Sequence, residues 1–386
     1  MKTVGSGPLR VLVWHWGRKG GGPRYTLELA RALVSRKDIE LFSSISRQSD
    51  FYDDFLSIPF VDRLDVDTYS SHLEFLIRSF MLPIIRRRLY QFIIRNEIDI
   101  VFCTMDHLWN SLVLGAIKKA GAKYLLTVHD AKRHPGEDQA WRRLLLEYDI
   151  RASDGALVLT EAVGNALQRF HKYPPDRIFY SLHGHFGRSV RERPRTLPRD
   201  RPLRILFFGR ILPYKGLDFL LSALPLIREH FPDLELEIWG AGDVSEYREL
   251  EHLSNCRLEN RWIEESEIPE IFERSDVLAL PYREASQSGV VGLAFSSGMP
   301  CVAMPIPGLC EQVRNDQDGL IAARVDSAAF AACMIRLFSS EELYSRLSRG
   351  GIETARGELS WDAIGSSVAM ALQNLQRIGV RAERVP

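Results

Sequence analysis

Short apolar runs alternate with longer stretches of helical periodicity along most of the chain. Leu9-Arg10-Val11-Leu12-Val13-Trp14-His15-Trp16 opens as a strand, followed by a glycine-rich loop at 17–23 and a helix over 24–35 with Leu29 and Leu33 on one side. Further strands are predicted at 98–103, 122–130, 155–159 and 177–182, with helices over 141–150 and from Thr160, a plausible N-cap. The second half repeats the pattern. Strands are expected at 203–208, 234–239, 256–259, 277–281 and 301–304. Helices are expected from 217, over 267–273 and after 290, then over 327–338, 341–349 and 361–377, with 305–311 left as a loop. Strands alternating with helices predict parallel sheets covered on both faces.

Two segments break this rhythm. Residues 187–203 are dominated by Pro and Arg and read as an exposed linker, the best domain boundary in the chain. Residues 72–95 form a helical pattern interrupted at Pro83, with Phe75, Leu76, Ile77, Phe80, Met81, Ile84 and Ile85 before Arg86-Arg87-Arg88. A basic amphipathic helix can lie on anionic lipid. The plainer alternative is a core helix with a solvated arginine edge.

Length and composition narrow the picture. A chain of 386 residues, 45% apolar and 26% charged, predicts a globular protein of two domains. A formal net charge of zero gives no field to attract nucleic acid, so any basic site is local. Cys103, Cys256, Cys301, Cys310 and Cys333 are odd in number and widely spaced, without a CxxC pair, and read as reduced core thiols. The N-terminal residues lack a signal-peptide apolar region, and no run of about 18 apolar residues exists to span a membrane. A cytoplasmic protein, peripheral at the inner membrane face at most, is expected.

Candidate chemistry lies at strand ends. Arg210 and Lys215 follow the 203–208 strand and precede a helix, the edge of an α/β sheet where ligands bind and where a helix N-terminus favours phosphate. The Gly20-Gly21-Gly22 loop, with Arg18, Lys19 and Arg24 nearby, has the shape of a phosphate cradle, although it is neither a Walker A loop nor GxGxxG. His129 closes the 122–130 strand and faces the same kind of edge, and His134 lies in the loop beyond. Each feature alone is equally readable as an ordinary surface loop.

Taken in order, Gly209-Arg210 with Lys215-Gly216, Gly240-Ala241-Gly242-Asp243, Leu280-Pro281-Tyr282-Arg283, Gln287-Ser288-Gly289-Val290, Gly298-Met299-Pro300, Gly308-Leu309 with Glu311, and Asp318-Gly319 resemble the C-terminal domain of a family 4 glycosyltransferase. The Gly20-Gly21-Gly22 loop and Thr127-Val128-His129-Asp130 resemble its first domain. The resemblance is strongest over 203–322 and weak over 36–95. It implies the GT-B fold: two Rossmann-like doubly wound domains facing each other across a cleft, here 1–186 for the acceptor and 187–360 for the nucleotide sugar. A last helix over 361–386 would cross back to the first domain. It also implies transfer of a sugar from a nucleotide diphosphate sugar with retention at the anomeric carbon.

By that resemblance Arg210, Lys215 and His129 are the catalytic candidates. The two cations would neutralise the leaving diphosphate, and His129 would sit near the sugar. Gly209, Glu284, Gln287, Ser288, Gly289, Val290, Gly20 and Gly21 are the donor-binding candidates, the amides of 288–290 acting at a helix start. No metal or other cofactor is required. The acceptor would be a glycan, glycolipid or lipid-linked sugar, with residues 75–94 touching an anionic membrane and no nucleic acid partner. One departure stands out. The family often carries two glutamates spaced E-x7-E. Anchored on Gly298-Met299-Pro300, Ala285 stands at or next to the first position and Gly292 or Leu293 at the second, with Glu284 the acidic neighbour. That departure motivates a second reading, a catalytically weak GT-B protein that binds or regulates. A nucleotide-sugar epimerase on the same fold is a third.

Overall fold

A computed structural model describes residues 7–132 and 140–382. The extreme N-terminus and His134 lie outside the described residues. The chain divides into two compact units.

The first unit comprises residues 7–132, 140–182 and 361–382. Its sheet contains β1 (Leu9–His15), β2 (Ile39–Ile45), β3 (Ile100–Cys103), β4 (Lys123–Val128), β5 (Gly155–Val158) and β6 (Ile178–Tyr180). They lie in the order β2-β1-β3-β4-β5-β6, all parallel. Strands covered on both faces need continuous apolar runs, and Val11, Leu12, Val13 and Trp14 are all fully buried. Strand order reverses between β1 and β3, so the crevice outside their carboxyl ends is this sheet's ligand edge. Thr160 caps the helix Glu161–His171 as its spacing predicts, accepting from the Val163 N–H at 3.3 Å, a bond type contributing about 1 kcal/mol.

The helix Trp361–Ala382 packs on the first unit. Val368, Leu372 and Leu375 are buried, Gln373 donates to Asp38 at 2.7 Å, and Ser367 donates to the Tyr180 carbonyl at 3.0 Å. The Lys123 ammonium, at the start of β4, donates to the carbonyls of Leu375 and Gln376 at 2.8 and 2.7 Å.

The second unit is His183–Ser360. Its strands are β7 (Arg204–Phe208), β8 (Glu235–Trp239), β9 (Cys256–Glu259), β10 (Val277–Leu280), β11 (Cys301–Ala303) and β12 (Gly319–Ile321). The order β12-β11-β10-β7-β8-β9, again parallel, reverses between β7 and β10. Both sheets are therefore doubly wound.

Several expectations need correction. The 187–203 stretch is not simply an exposed linker. Arg195 is only 7% exposed, and its guanidinium donates to the carbonyls of Ser297, Ser275 and Phe272 at 2.7, 2.6 and 2.9 Å. A Pro- and Arg-rich composition hides such burial because guanidinium donors can be satisfied by backbone carbonyls instead of water. Pro83 does not break a helix; it sits in the first turn of Leu82–Arg95, where a missing N–H is harmless, and the break from His72–Ser79 falls at Phe80-Met81. The first helix begins at Gly21, not Arg24, so Gly21, Gly22 and Pro23 belong to its first turn. The loop at 305–311 contains a helical turn, Pro307–Cys310. Cys103 and Cys301 are buried, whereas Cys310 is exposed; all five thiols are free.

Candidate active site

The second sheet's switch point is built from the loops that leave β7 and β10. Beyond β7 the backbone stays anchored: the Gly209 N–H donates to the Trp239 carbonyl and the Ile211 N–H to the Ala241 carbonyl, both at 2.9 Å. Arg210, exposed between these two bonds, is held at the carboxyl end of the strand. The glycines of 240–242 permit this close run. A Cβ on Gly240 would stand 1.9 Å from the Gly209 oxygen, and one on Gly242 would stand 2.1 Å from the Ile211 oxygen.

Pro213–Lys215 then makes a 3₁₀ turn that ends on Gly216 at φ 67°, a left-handed conformation suited to glycine. The strap Pro281-Tyr282-Arg283 crosses this turn. The Arg283 N–H donates to the Tyr214 carbonyl at 2.8 Å, and the Lys215 Nζ stands 3.8 Å from the centroid of the Tyr282 ring. Tyr282 is buried, and its hydroxyl lies 3.3 Å from the Ser288 Oγ. Ser288 is the residue before the helix Gly289–Ser296. One aromatic ring thus connects the lysine to a helix N-terminus. The Arg283 guanidinium pairs with Asp218 and lies 4.2 Å over the Phe219 ring.

The helix start differs in one respect from the expected amide cradle. The Ser288 N–H donates to the Gln312 Oε1 at 2.7 Å, and Gln312 returns a bond to the Ser288 carbonyl at 3.3 Å. That leaves the Gly289 and Val290 N–H groups, in the first turn, as the amides oriented by the helix end. The preceding loop is fixed by Gly308, where a Cβ would stand 2.4 Å from the carbonyl oxygens of both Ala285 and Ser286. The Gln287 Oε1 is buried without a hydrogen-bond partner among the described residues. Glu284 is exposed. At the positions of the expected second glutamate, Leu293 is half-buried, and a Cβ on Gly292 would meet the His185 Cα at 2.9 Å.

At the first sheet's switch point, β1 ends in His15, which is buried with no partner for either ring nitrogen among the described residues. Burial, reinforced by His107 and His129, lowers its pKa to about 3, so the ring is neutral. The glycine loop rests on this ring: a Cβ would come within 2.6 Å of it at Gly17 and 3.0 Å at Gly22. Gly20 sits at φ 82°, immediately before the helix that Gly21 begins. The His129 Nε2 lies 3.0 Å from the Thr104 carbonyl, with the Tyr25 ring 5.7 Å away. His107, whose Nδ1 accepts the Trp109 N–H at 3.2 Å, is likewise lowered to about 3 by burial and then by Arg18. His129, Gly20 and Gly21 therefore share one edge of the first unit, as Arg210, Lys215 and 287–290 share one edge of the second. No cluster of His, Cys, Asp or Glu suited to a metal occurs among the described residues.

Comparison with known proteins gives this geometry a family. The model described as Glycosyltransferase Family 4 matches residues 19–184, and that described as Glycosyl transferases group 1 matches residues 202–340. The chain belongs to glycosyltransferase family 4. As a member it is a retaining glycosyltransferase that uses a nucleotide diphosphate sugar. The D-inositol 3-phosphate glycosyltransferase of Xylanimonas cellulosilytica is 27% identical across 91% of each chain. The phosphatidyl-myo-inositol mannosyltransferase of Propionibacterium freudenreichii is 29% identical, over 56% of this chain and 55% of that one. Among solved structures, Anabaena HepE in complex with UDP-glucose superposes with a TM-score of 0.71 at 14% identity, covering 95% of this chain and 99% of that one. The two doubly wound sheets are thus the GT-B architecture of this glycosyltransferase family.

The parts that Tyr282 and Gln312 play at this sheet edge escaped sequence reasoning. Tyr282 entered only as part of the Leu280-Pro281-Tyr282-Arg283 motif, with no role of its own, and Gln312 lay outside every motif. A signal for Tyr282 existed: an aromatic residue just past a strand's carboxyl end stands at the ligand edge.

Proposed function

We propose that this glycosyltransferase binds its donor diphosphate at the β7–β10 switch point of the second unit. The interlocked loops carry the reading: they seat the Lys215 ammonium on the same ring whose hydroxyl reaches the start of the Gly289–Ser296 helix. Arg210 and Lys215 stabilise the charge that develops on the leaving phosphate, and the Gly289 and Val290 amides bind it further. With two cations there to take up the charge, this reading calls for no metal. Gln287 and the Gly209 backbone hold the remainder of the donor, Glu284 standing at the rim. On the first unit, Gly20, Gly21 and His129 lie along one ligand edge, and the resemblance gives the two glycines a donor-binding role and His129 a role near the sugar. The leaving phosphate itself accepts the acceptor's proton, so no separate carboxylate base is required.

The acceptor in this reading is a lipid-linked sugar or glycolipid. Its support is the surface of residues 73–88. Leu73, Leu76, Ile77, Phe80, Met81 and Ile84 are all exposed, Phe80 at 83%, and Arg86, Arg87 and Arg88 follow, also exposed. Such an apolar patch beside cations suits an anionic membrane face. The phosphatidyl-myo-inositol acceptor in the name of the Propionibacterium relative is of the same chemical kind.

Thermal shift against a panel of nucleotide sugars tests the donor site, because a ligand bound only to the folded state raises the midpoint by mass action. One nucleotide sugar should raise it in the wild type and not in Arg210→Ala or Lys215→Ala. Equal shifts in all three proteins would refute the assignment.

A further inference from the structure

We propose that Tyr282 is a positioning residue for Lys215, holding the ammonium where the leaving diphosphate forms without neutralising it. The inference rests on the diphosphate reading of the β7–β10 edge and adds a residue to it.

A lysine carries its charge on a flexible four-carbon stem and loses rotamer freedom when it must meet an anion in one geometry. A site that acts on developing charge gains when that ordering is done beforehand. A carboxylate could hold the ammonium, but it would cancel the charge and compete with phosphate. An aromatic face attracts a cation through its quadrupole and leaves the net charge intact. The Lys215 Nζ stands 3.8 Å from the centre of the Tyr282 ring, against 5.5 Å for the Tyr214 ring, so Tyr282 is the principal seat.

The seat itself is rigid. Tyr282 is 1% exposed and stands two residues past the end of β10. Its backbone runs between two fixed points: the Pro281 oxygen lies where a Gly216 Cβ would come within 2.0 Å, and the Arg283 N–H donates to the Tyr214 carbonyl at 2.8 Å. Its hydroxyl meets the Ser288 Oγ at 3.3 Å, and Ser288 is tied through both its N–H and its carbonyl to Gln312. Arg283, the neighbouring cation, pairs with Asp218 and lies on Phe219, so it does not contest the ring. The ammonium keeps N–H donors on the side away from the ring for an anion.

Titration calorimetry of the full chain with inorganic pyrophosphate reads this directly, with no need to know the donor sugar. Lys215→Ala establishes the contribution of the lysine. Tyr282→Phe keeps the ring and removes only the hydroxyl, and should bind within about twofold of wild type, since the cation–π contact survives. Placing one, two and then three fluorines on that phenylalanine drains the quadrupole with little change of shape. Affinity should fall stepwise, by about three- to tenfold overall. Tyr282→Leu should fall at least as far. An affinity independent of fluorination, with Lys215→Ala still weakened, would overturn the role of Tyr282 and leave the clamp standing. A Lys215→Ala protein that binds pyrophosphate as wild type does would overturn the clamp reading itself.

Discussion

Gly216 lies so close to Pro281 that a Cβ on the glycine would stand 2.0 Å from the proline's carbonyl oxygen. The contact fixes the spacing of the two loops that leave β7 and β10. Gly216→Ala forces either the strap or the turn to move, and it also places a Cβ on a residue at φ 67°. The left-handed conformation alone costs roughly 1–2 kcal/mol, and the clash adds to it. The variant should unfold at a lower urea concentration and bind pyrophosphate more weakly. An unchanged midpoint would show that the loops are not locked as described.

Removing either donor-side cation should slow the chemical step. A preorganised group aimed at developing charge contributes roughly 10²–10³ in kcat, so Arg210→Ala and Lys215→Ala should each lose on that order. The KM for the donor should rise less than kcat falls. A chelator should leave wild-type turnover unchanged. Strong inhibition by EDTA, reversed by a divalent cation, would contradict the metal-free assignment.

The exposed apolar surface at 73–84 should carry the protein onto anionic lipid. In flotation, wild type should rise with vesicles containing phosphatidylglycerol and stay behind with neutral ones. The triple variant Arg86→Glu, Arg87→Glu, Arg88→Glu should remain in the dense fraction, as should Phe80→Asp. Binding should weaken with added salt, because charge attraction at a surface is screened over about 10 Å at 0.1 M. Flotation of the triple variant at the wild-type level would remove the membrane proposal.

Asp149 gives the first unit a distinctive pH response. It is 2% exposed, its Oδ1 accepts the Ser111 hydroxyl at 2.8 Å, and burial lifts its pKa from 3.8 to about 7. The native state then holds a proton more tightly than the unfolded chain. The associated stability is complete below the unfolded value and is lost as pH rises through the native one. Asp149→Asn cannot ionise, so it should be the more stable protein at pH 8, by a few kcal/mol at most. The advantage should shrink towards pH 4.5. Urea midpoints at both values decide it; parallel profiles would rule the effect out.

Much of the fold was legible because strands covered on both faces leave continuous apolar runs, as in Leu12-Val13-Trp14 or Val277-Leu278-Ala279-Leu280. Region 36–71 has no clear local pattern, although it contains β2 and the short helix Tyr52–Leu56. Its Ser44, in β2, and Ser46, just past it, are buried polar residues satisfied by partners far along the chain: Ser44 donates to the Leu64 carbonyl at 2.9 Å, and the Ser46 and Thr68 hydroxyls pair at 2.6 Å. Local pattern cannot supply those partners. Arg195 was misread for the same reason, since its carbonyl acceptors lie about 80–100 positions away. In the site, glycine spacing revealed the loops because close backbone approach demands glycine. The Gln312 bond to Ser288 was invisible because it joins side chain and backbone 24 residues apart.

The grip of Lys123 on the carbonyls of Leu375 and Gln376 has a consequence for biosynthesis. A ribosome makes β1 to β6 first, then all of His183–Ser360, and only afterwards the helix that covers part of the first sheet. The second unit can therefore complete its fold while the first still waits for its final piece. Until that helix arrives, the apolar side chains beneath it are open to water, and to chaperones.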